Sequence, residues 1–393
     1  MVIDRIQLSS FLIVLTFASV FLLSSQSASS YSTYLLAIVM LGFVSQWRDI
    51  FLLRGAMILM VLVVYLVTSG LWSEPFDWSD FFSTLVRGLL VFLFVAALAE
   101  SEQRGLVQRW LASALALVGT IVAGAALIDF FVNPPPVVNR LNGFGQLDNH
   151  NVAALMFSVV FIMQLKVLTS KNVGVVIRLF SLIGCGVLLA TIYFSDSRNA
   201  WGSVALGSCV YLMAMFIRDK GRFLATLAAG LVISIALILV FISNPNTRDN
   251  LIPRGDSYRI EIWEISLQRL AESNPVFGLG INTPDDVQVK DTRIFNHPHS
   301  MYISTLVQGG IIGFVLLLLL VAEVLSRAYL SYEDPSVKLA FGLIAVGLGS
   351  FLFDGHELVD KVGESWFLFW LPVGLLLGVE WRRTYSSEDL YAS

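Results

Sequence analysis

The chain has 393 residues, of which 56% are hydrophobic and only 14% charged, with a mean hydropathy of +0.76. A soluble globular protein carries roughly 25% charged residues, and here the deficit runs the whole length. This excludes a soluble fold, makes a nucleic-acid partner unexpected, and points to one integral membrane domain over 1–393. The formal net charge of −4 carries little information, because charge on such a protein matters by side of the membrane.

A helix needs about 20 mostly apolar residues to cross the hydrocarbon layer. In chain order, runs of that kind predict spans near 8–24, 31–47, 51–72, 79–98, 111–132 and 151–168, then 176–194, 199–217, 223–243, 301–325, 336–353 and 362–380. The expected fold is an all-α polytopic membrane protein of about twelve transmembrane helices. Arg5, the apolar run 11–23 and a serine-rich stretch resemble a signal peptide. The segment reads instead as a first span, because keeping it makes the charge pattern consistent. Cys185 and Cys209 fall inside apolar runs and read as small packed hydrophobes.

With the N-terminus inside, the cytoplasmic side collects Arg5, Arg48, Arg54, Arg104, Arg109, Lys166, Lys171, Arg178, Arg218, Lys220, Arg222, Arg327, Lys338, Arg382 and Arg383. By the positive-inside rule both termini are cytoplasmic. The outward arginines break that bias and point to another task. They are Arg140, Arg198 and those of the long outer loop.

Two outer segments are long enough to build something. In 133–150, Pro134, Pro135 and Pro136 cannot continue the preceding helix. In 244–300, Asp256 or Ser257 can cap a helix, with Glu261 and Glu264 in its first turns and Ile260, Trp263, Leu267 and Leu270 at helical spacing. The pattern predicts an amphipathic helix lying on the membrane interface. Asn274-Pro275 ends it, and Gly278-Leu279-Gly280 predicts a flexible turn. The loop closes with Asn296-His297-Pro298-His299-Ser300-Met301-Tyr302, two of the four histidines in the chain, where a polar loop meets a span.

Several of these residues can carry chemistry. Arg198 sits in the short turn 195–201, where a guanidinium can grip a phosphate through two parallel hydrogen bonds, or pair with Asp196. Arg259 and Trp263 share a helix face and suit an anionic headgroup with an interfacial anchor, or Arg259 is neutralised by Asp256, Glu261 or Glu264. His299 can act as a general base on a sugar hydroxyl. His297 can orient it or face water. A divalent metal held by His297, His299, Asp285, Asp286 and Asp291 is weighed, but the acidic spacing matches no tight ligand motif, and no metal or other cofactor is expected. His150 beside Asp148 and Asn149 can contact substrate, though helix capping is the plainer account. Arg87, inside the fourth span, can face a lipid phosphate or pair with Asp80 or Glu100. His356 with Asp354, Glu357 and Asp360 reads as a solvated turn. Gly309 and Gly313 have a spacing that favours close helix packing.

Three motifs then occur in a familiar order within 197–313: Ser-Arg-x-Ala-Trp at 197–201, Arg-x-x-x-Trp at 259–263 with Gly-Leu-Gly-Ile-Asn at 278–282, and His-Ser followed by Gly-x-x-Gly at 299–313. Together they resemble the O-antigen ligase family, which shares a domain with O-antigen polymerases. The resemblance implies a membrane glycosyltransferase of the GT-C type in the bacterial inner membrane, inverting and metal-independent, with its active site facing the periplasm. Its implied partners are an undecaprenyl-diphosphate-linked glycan donor, a lipid A-core acceptor and the surrounding membrane lipids. It implies that Arg198 and Arg259 hold the diphosphate and that His299 deprotonates the acceptor. His297, Trp263, Arg87 and His150 are at most accessory.

An O-antigen or exopolysaccharide polymerase shares the donor chemistry and is the alternative. A transporter would place ionisable residues in mid-span, whereas here, apart from Arg87, they cluster at one face. Transfer by the purified chain is expected to survive a metal chelator; loss of activity on chelation would restore the metal reading.

Overall fold

The computed structural model describes residues 4–43, 48–135, 139–171, 173–228 apart from 223, 226 and 227, then 258–289 and 293–388. The first part is a series of helices: Arg5–Leu22 (α1), Gln26–Leu41 (α2), Arg54–Ser69 (α3), Trp78–Gln103 (α4), Ala112–Val132 (α5), His150–Thr169 (α6), Val175–Phe194 (α7) and Arg198–Phe216 (α8). The second part contains Arg259–Glu272 (α9), Met301–Leu330 (α10), Pro335–Ser350 (α11) and Leu371–Glu388 (α12). A π-helical turn, Val107–Leu111, leads into α5, and another, Trp366–Trp370, leads into α12.

Among the described residues, eight helical segments are long and apolar enough to cross a membrane: α1, α3 with its extension to Trp72, α4, α5 with its leading turn, α6, α7, α8 and α10. The chain is thus a multi-pass membrane protein. The expected spans near 31–47, 336–353 and 362–380 overlap α2, α11 and α12. These are shorter, or are diluted by serines in α2 and by Arg382, Arg383 and serines in α12. The expected span 223–243 lies largely outside the described residues.

Burial sorts the helices by position. The π turn Trp366–Trp370 has every side chain fully buried, and α12 beyond it packs on α4 and α11 at the centre. Phe17 and Phe94 stack edge-on or tilted against Phe367 and Trp366 at 4.8 and 4.9 Å. At the periphery, α7 exposes Val176 at 80% and Ile183 at 66%, which is the surface expected where lipid replaces water as solvent.

Charge is confined to the two ends of the bundle, where it can be hydrated or paired. At one end Arg5 at the start of α1 pairs with Glu100 near the end of α4, and Arg382 of α12 pairs with Glu102 at 3.0 Å and with Asp334. At the other end lie Arg140–Asp196 at 3.3 Å and Arg87–Asp360 at 3.7 Å. Glu100 is therefore not the partner of Arg87, and neither is Asp80.

The segment 258–300 departs from the expected purely helical fold. It holds α9 and a small antiparallel hairpin in which Val287 pairs with Phe295 and Gln288 with Ile294. Ile262, Val287 and Val289 form its own small core. In α9, Ile262, Ser266 and Leu270 are packed against protein, whereas Ile260 and Leu267 are exposed. The expected caps, Asp256 and Ser257, lie outside the described residues.

The glycine-rich motif does more than allow close packing. Gly310 breaks α10 with φ 60° and ψ −166°, a conformation open in practice only to glycine. The break frees backbone groups at the depth of a spanning helix, where each must find a partner. Segment 275–280 supplies them. Leu279 and Gly280 N–H donate to the Val307 and Gln308 carbonyls at 2.8 and 2.9 Å, and Ile311 and Ile312 N–H donate to the Pro275 and Val276 carbonyls at 2.9 and 3.2 Å. The Tyr65 hydroxyl of α3 donates to the Gly309 and Phe277 carbonyls at 2.8 and 3.1 Å. Gly278-Leu279-Gly280 is therefore a pinned connection rather than a flexible turn, and a Cβ at Gly310 would run into the Val276 carbonyl. Gly309 and Gly313 do face a neighbouring helix, at Leu66 and Tyr65 of α3. Gly310→Ala is expected to cost about 1–3 kcal/mol in strain alone, read as a lowered thermal midpoint in detergent; an unchanged midpoint would mean that the break tolerates a side chain.

Candidate active site

The turn after α11, residues 351–360, is the platform of the polar end. Its own backbone is held from the core by two tryptophans: Trp370 Nε1–H donates to the Leu358 carbonyl at 2.9 Å and Trp366 Nε1–H to the Asp360 carbonyl at 3.2 Å. From above, Ser300 caps α10 while its hydroxyl donates to the Phe351 carbonyl at 3.1 Å. Met301 N–H is shared between the Phe351 and Asp354 carbonyls. The His-Ser pair is thus tied to this turn, which explains the serine beside the histidine.

His299 adopts a left-handed backbone, φ 52°, unusual for a residue with a side chain. Its N–H donates to Nδ1 of His297 at 3.2 Å, an acceptor only while that ring nitrogen carries no proton. Burial, with the neighbouring charges of His299 and His356, pulls the His297 pKa down to about 3, so the ring is neutral near pH 7. His297 thus orients His299 rather than facing water. The His299 Nδ1 lies 4.0 Å from Oδ1 of Asp354, within ion-pair range but longer than a hydrogen bond, and its side chain is 31% exposed.

Both arginine segments reach the same turn. Arg259 Nε–H donates to the Phe353 carbonyl at 3.1 Å. Trp263, one turn later, stacks on Phe353 at 6.3 Å and donates to the Pro298 carbonyl at 2.9 Å. Its ring and its N–H are thus both engaged by protein. Arg198 is the first residue of α8 and is exposed; Ser197 caps the helix, and Asn199 donates to the Ser350 carbonyl at 3.1 Å. Asp196 pairs with Arg140 at 3.3 Å, and Arg140 also donates to Nε2 of His150 at 2.7 Å. Asn149 caps α6, as the helix-capping account of this segment expected, and His150 serves as an acceptor for Arg140.

Sequence reasoning missed His356. It is not a solvated turn residue: Nε2 lies 3.5 Å from Asp285 and Nδ1 3.6 Å from Glu357, and its ring is 5.0 Å from that of His297. Burial alone would lower its pKa, but the Asp285 hydrogen bond and the charges of Glu357, Asp285 and Asp360 outweigh it and hold it above the ordinary histidine value. Asp285 also accepts from Gln308 at 3.0 Å, beside the Gly310 break. The scarcity of histidine was a usable signal, since three of the four histidines meet here. Among the described residues, no group of three or more His, Cys, Asp or Glu side chains is arranged to hold a metal ion; Asp291 lies outside them.

Comparison with known proteins bears out the resemblance read from the motifs. Residues 183–318 match the family model described as O-antigen ligase, and all three motifs fall inside that match. The chain is also 28% identical over 338 residues to a protein of Pseudomonas aeruginosa named O-antigen ligase, covering 84% of this chain and 79% of that protein.

The raised His356 pKa has a sign. A group whose folded pKa exceeds its unfolded value stabilises fully below the unfolded pKa, about 6.5, and loses that contribution as pH rises through the folded value. The thermal midpoint gap between the wild-type chain and His356→Gln is expected to be wider at pH 6 than at pH 9. A gap that does not change with pH would remove the charge from this argument.

Proposed function

We propose that this chain is an O-antigen ligase of the inner membrane, which transfers a glycan from undecaprenyl diphosphate to lipid A-core oligosaccharide at its periplasmic end, with inversion and without a metal. The observation that carries the reading is one short turn, 350–354, gripped by the two arginine-bearing segments and by the His299 segment. The similarity to a protein named O-antigen ligase favours ligase over polymerase.

The chemistry asks for two things. A diphosphate leaving group is already activated, so developing negative charge must be stabilised, and an alcohol must lose its proton. Fixed guanidinium groups meet the first need, since Arg198 and Arg259 can each present paired donors to phosphate oxygens. His299 meets the second. With Nδ1 turned toward the Asp354 carboxylate, the lone pair of a neutral ring lies on Nε2, the nitrogen available to an incoming hydroxyl. As the acceptor oxygen bonds to the anomeric carbon, His299 takes the hydroxyl proton. The carbon–oxygen bond to phosphate breaks on the opposite face, and its electron pair leaves on undecaprenyl diphosphate. His297 holds the His299 backbone in its left-handed turn, and Asp354 stabilises the imidazolium that forms.

A deletion strain of the source bacterium is expected to show bare lipid A-core and long polymer stranded on undecaprenyl diphosphate. Wild type restores capping, whereas His299→Ala or Arg198→Ala at equal membrane abundance does not. In purified form His299→Ala is expected to lose about 10²–10⁴-fold in transfer, the range of a general base. Retained activity would remove His299 as base, and core capped with a single repeat in the deletion strain would mean polymerase.

A further inference from the structure

A lateral groove of about 540 Å³ runs between α2 and α4 at the polar end, with buried Leu90, Val362 and Trp366 behind it. Its rims are apolar and face outward, with Tyr31 of α2 at 68% and Phe82 of α4 at 55% exposure. The same faces continue through Leu35 and Ile38 of α2 and through Leu85 and Leu89 of α4, all exposed. Exposed apolar side chains in register on two packed helices form a surface suited to hydrocarbon chains. Trp78, which opens α4, and Tyr31 are the residue types that settle where such a surface meets water.

Two cations line this apolar groove, Arg87 and Lys361. Arg87 lies roughly 14 Å along α4 from Trp78, a depth at which a bare charge is costly. Among the described residues its one partner is Asp360 at 3.7 Å, longer than a hydrogen bond, so its N–H donors remain open. The Asp360 oxygen involved already accepts from the Lys361 backbone N–H at 2.6 Å. The Lys361 ammonium itself has no partner among the described residues. Two cations against one carboxylate leave a single positive charge, the complement of one phosphodiester; a diphosphate would be left undercompensated. Arg87 also borders a smaller cavity walled by Asp80 and Asp286, whose carboxylates repel an anion, so an anion is directed to the Lys361 side. There the hydroxyls of Ser27, Ser79 and Ser83 can serve its ester oxygens.

We infer that the groove between α2 and α4 binds one monoanionic glycerophospholipid, its phosphodiester held by Arg87 and Lys361 and its acyl chains laid along Tyr34, Phe82 and Val86. A basic pocket between spanning helices selects lipid headgroups by charge. The site is separate from the His299 turn, and the inference does not depend on the proposed transfer. Its test uses the purified full chain in detergent, with phosphatidylglycerol and phosphatidylcholine added at equal concentration and bound lipid counted by native mass spectrometry. One phosphatidylglycerol per chain is expected, bound at least tenfold more tightly than phosphatidylcholine. Arg87→Gln and Lys361→Ala are each expected to weaken it at least tenfold. Equal retention of the two lipids, or an affinity for phosphatidylglycerol unmoved in either variant, would overturn the site.

Thermal unfolding gives a second readout, since a ligand that binds only the folded chain raises its midpoint. Phosphatidylglycerol is expected to raise the midpoint of the wild-type chain and to leave that of Lys361→Ala almost unmoved. An equal rise in both would overturn the site. Should Arg87→Gln fail to fold, Lys361→Ala at the rim carries both readouts alone. Undecaprenyl diphosphate at the same concentration is expected not to displace phosphatidylglycerol. Displacement that depends on Lys361 would assign the groove to a diphosphate lipid and overturn the phospholipid as its occupant.

Discussion

The break in α10 at Gly310 is the constraint on which the polar end depends. A spanning helix cannot leave N–H and carbonyl groups unpaired in hydrocarbon, so a break survives only where another segment repairs it. Residues 275–280 make that repair with paired backbone hydrogen bonds, and the Tyr65 hydroxyl closes the remaining gap from α3. The repair fixes both partners. It orients Gln308 toward Asp285, and it sets the level at which the chain returns to build the hairpin and the histidine loop.

A second device works from the opposite direction. The turn 351–360 is short of regular structure, yet it is held by the tryptophan N–H groups of the π turn below and by Ser300, Arg259 and Asn199 from three other elements. Each contact satisfies a backbone carbonyl of the last residue of α11 or of the turn that follows it. A loop satisfied in this way acts as a rigid surface. That rigidity is what a base and two guanidinium groups need if they are to meet one substrate with little rearrangement.

The electrostatics divide along the same turn. Arg259 reaches the carbonyl of Phe353 and Arg87 pairs with Asp360, while His299 lies beside Asp354 and His356 beside Asp285 and Glu357. Pairing follows proximity across the fold: Asp196 answers Arg140, and Glu100 answers Arg5, although nearer partners exist in the chain.

Composition and periodicity by themselves determined that the chain is a helical membrane protein and which residues lie near the ends of its helices, and the family resemblance put His299, Arg198 and Arg259 in one motif set. These properties are local: an apolar run, a cap or a motif is complete within a few residues of chain. Tertiary structure alone decided that Gly310 breaks α10, that Gly278-Leu279-Gly280 repairs it, and that His356 joins Asp285 and His297 instead of facing water. It also decided that Trp263 stacks on Phe353 and that Asp285 is buried with one carboxylate oxygen unpaired among the described residues. The physical reason is that each of these depends on a partner distant in sequence, supplied only when the fold must satisfy a buried polar group. Spacing along one chain carries no record of which distant group will do so.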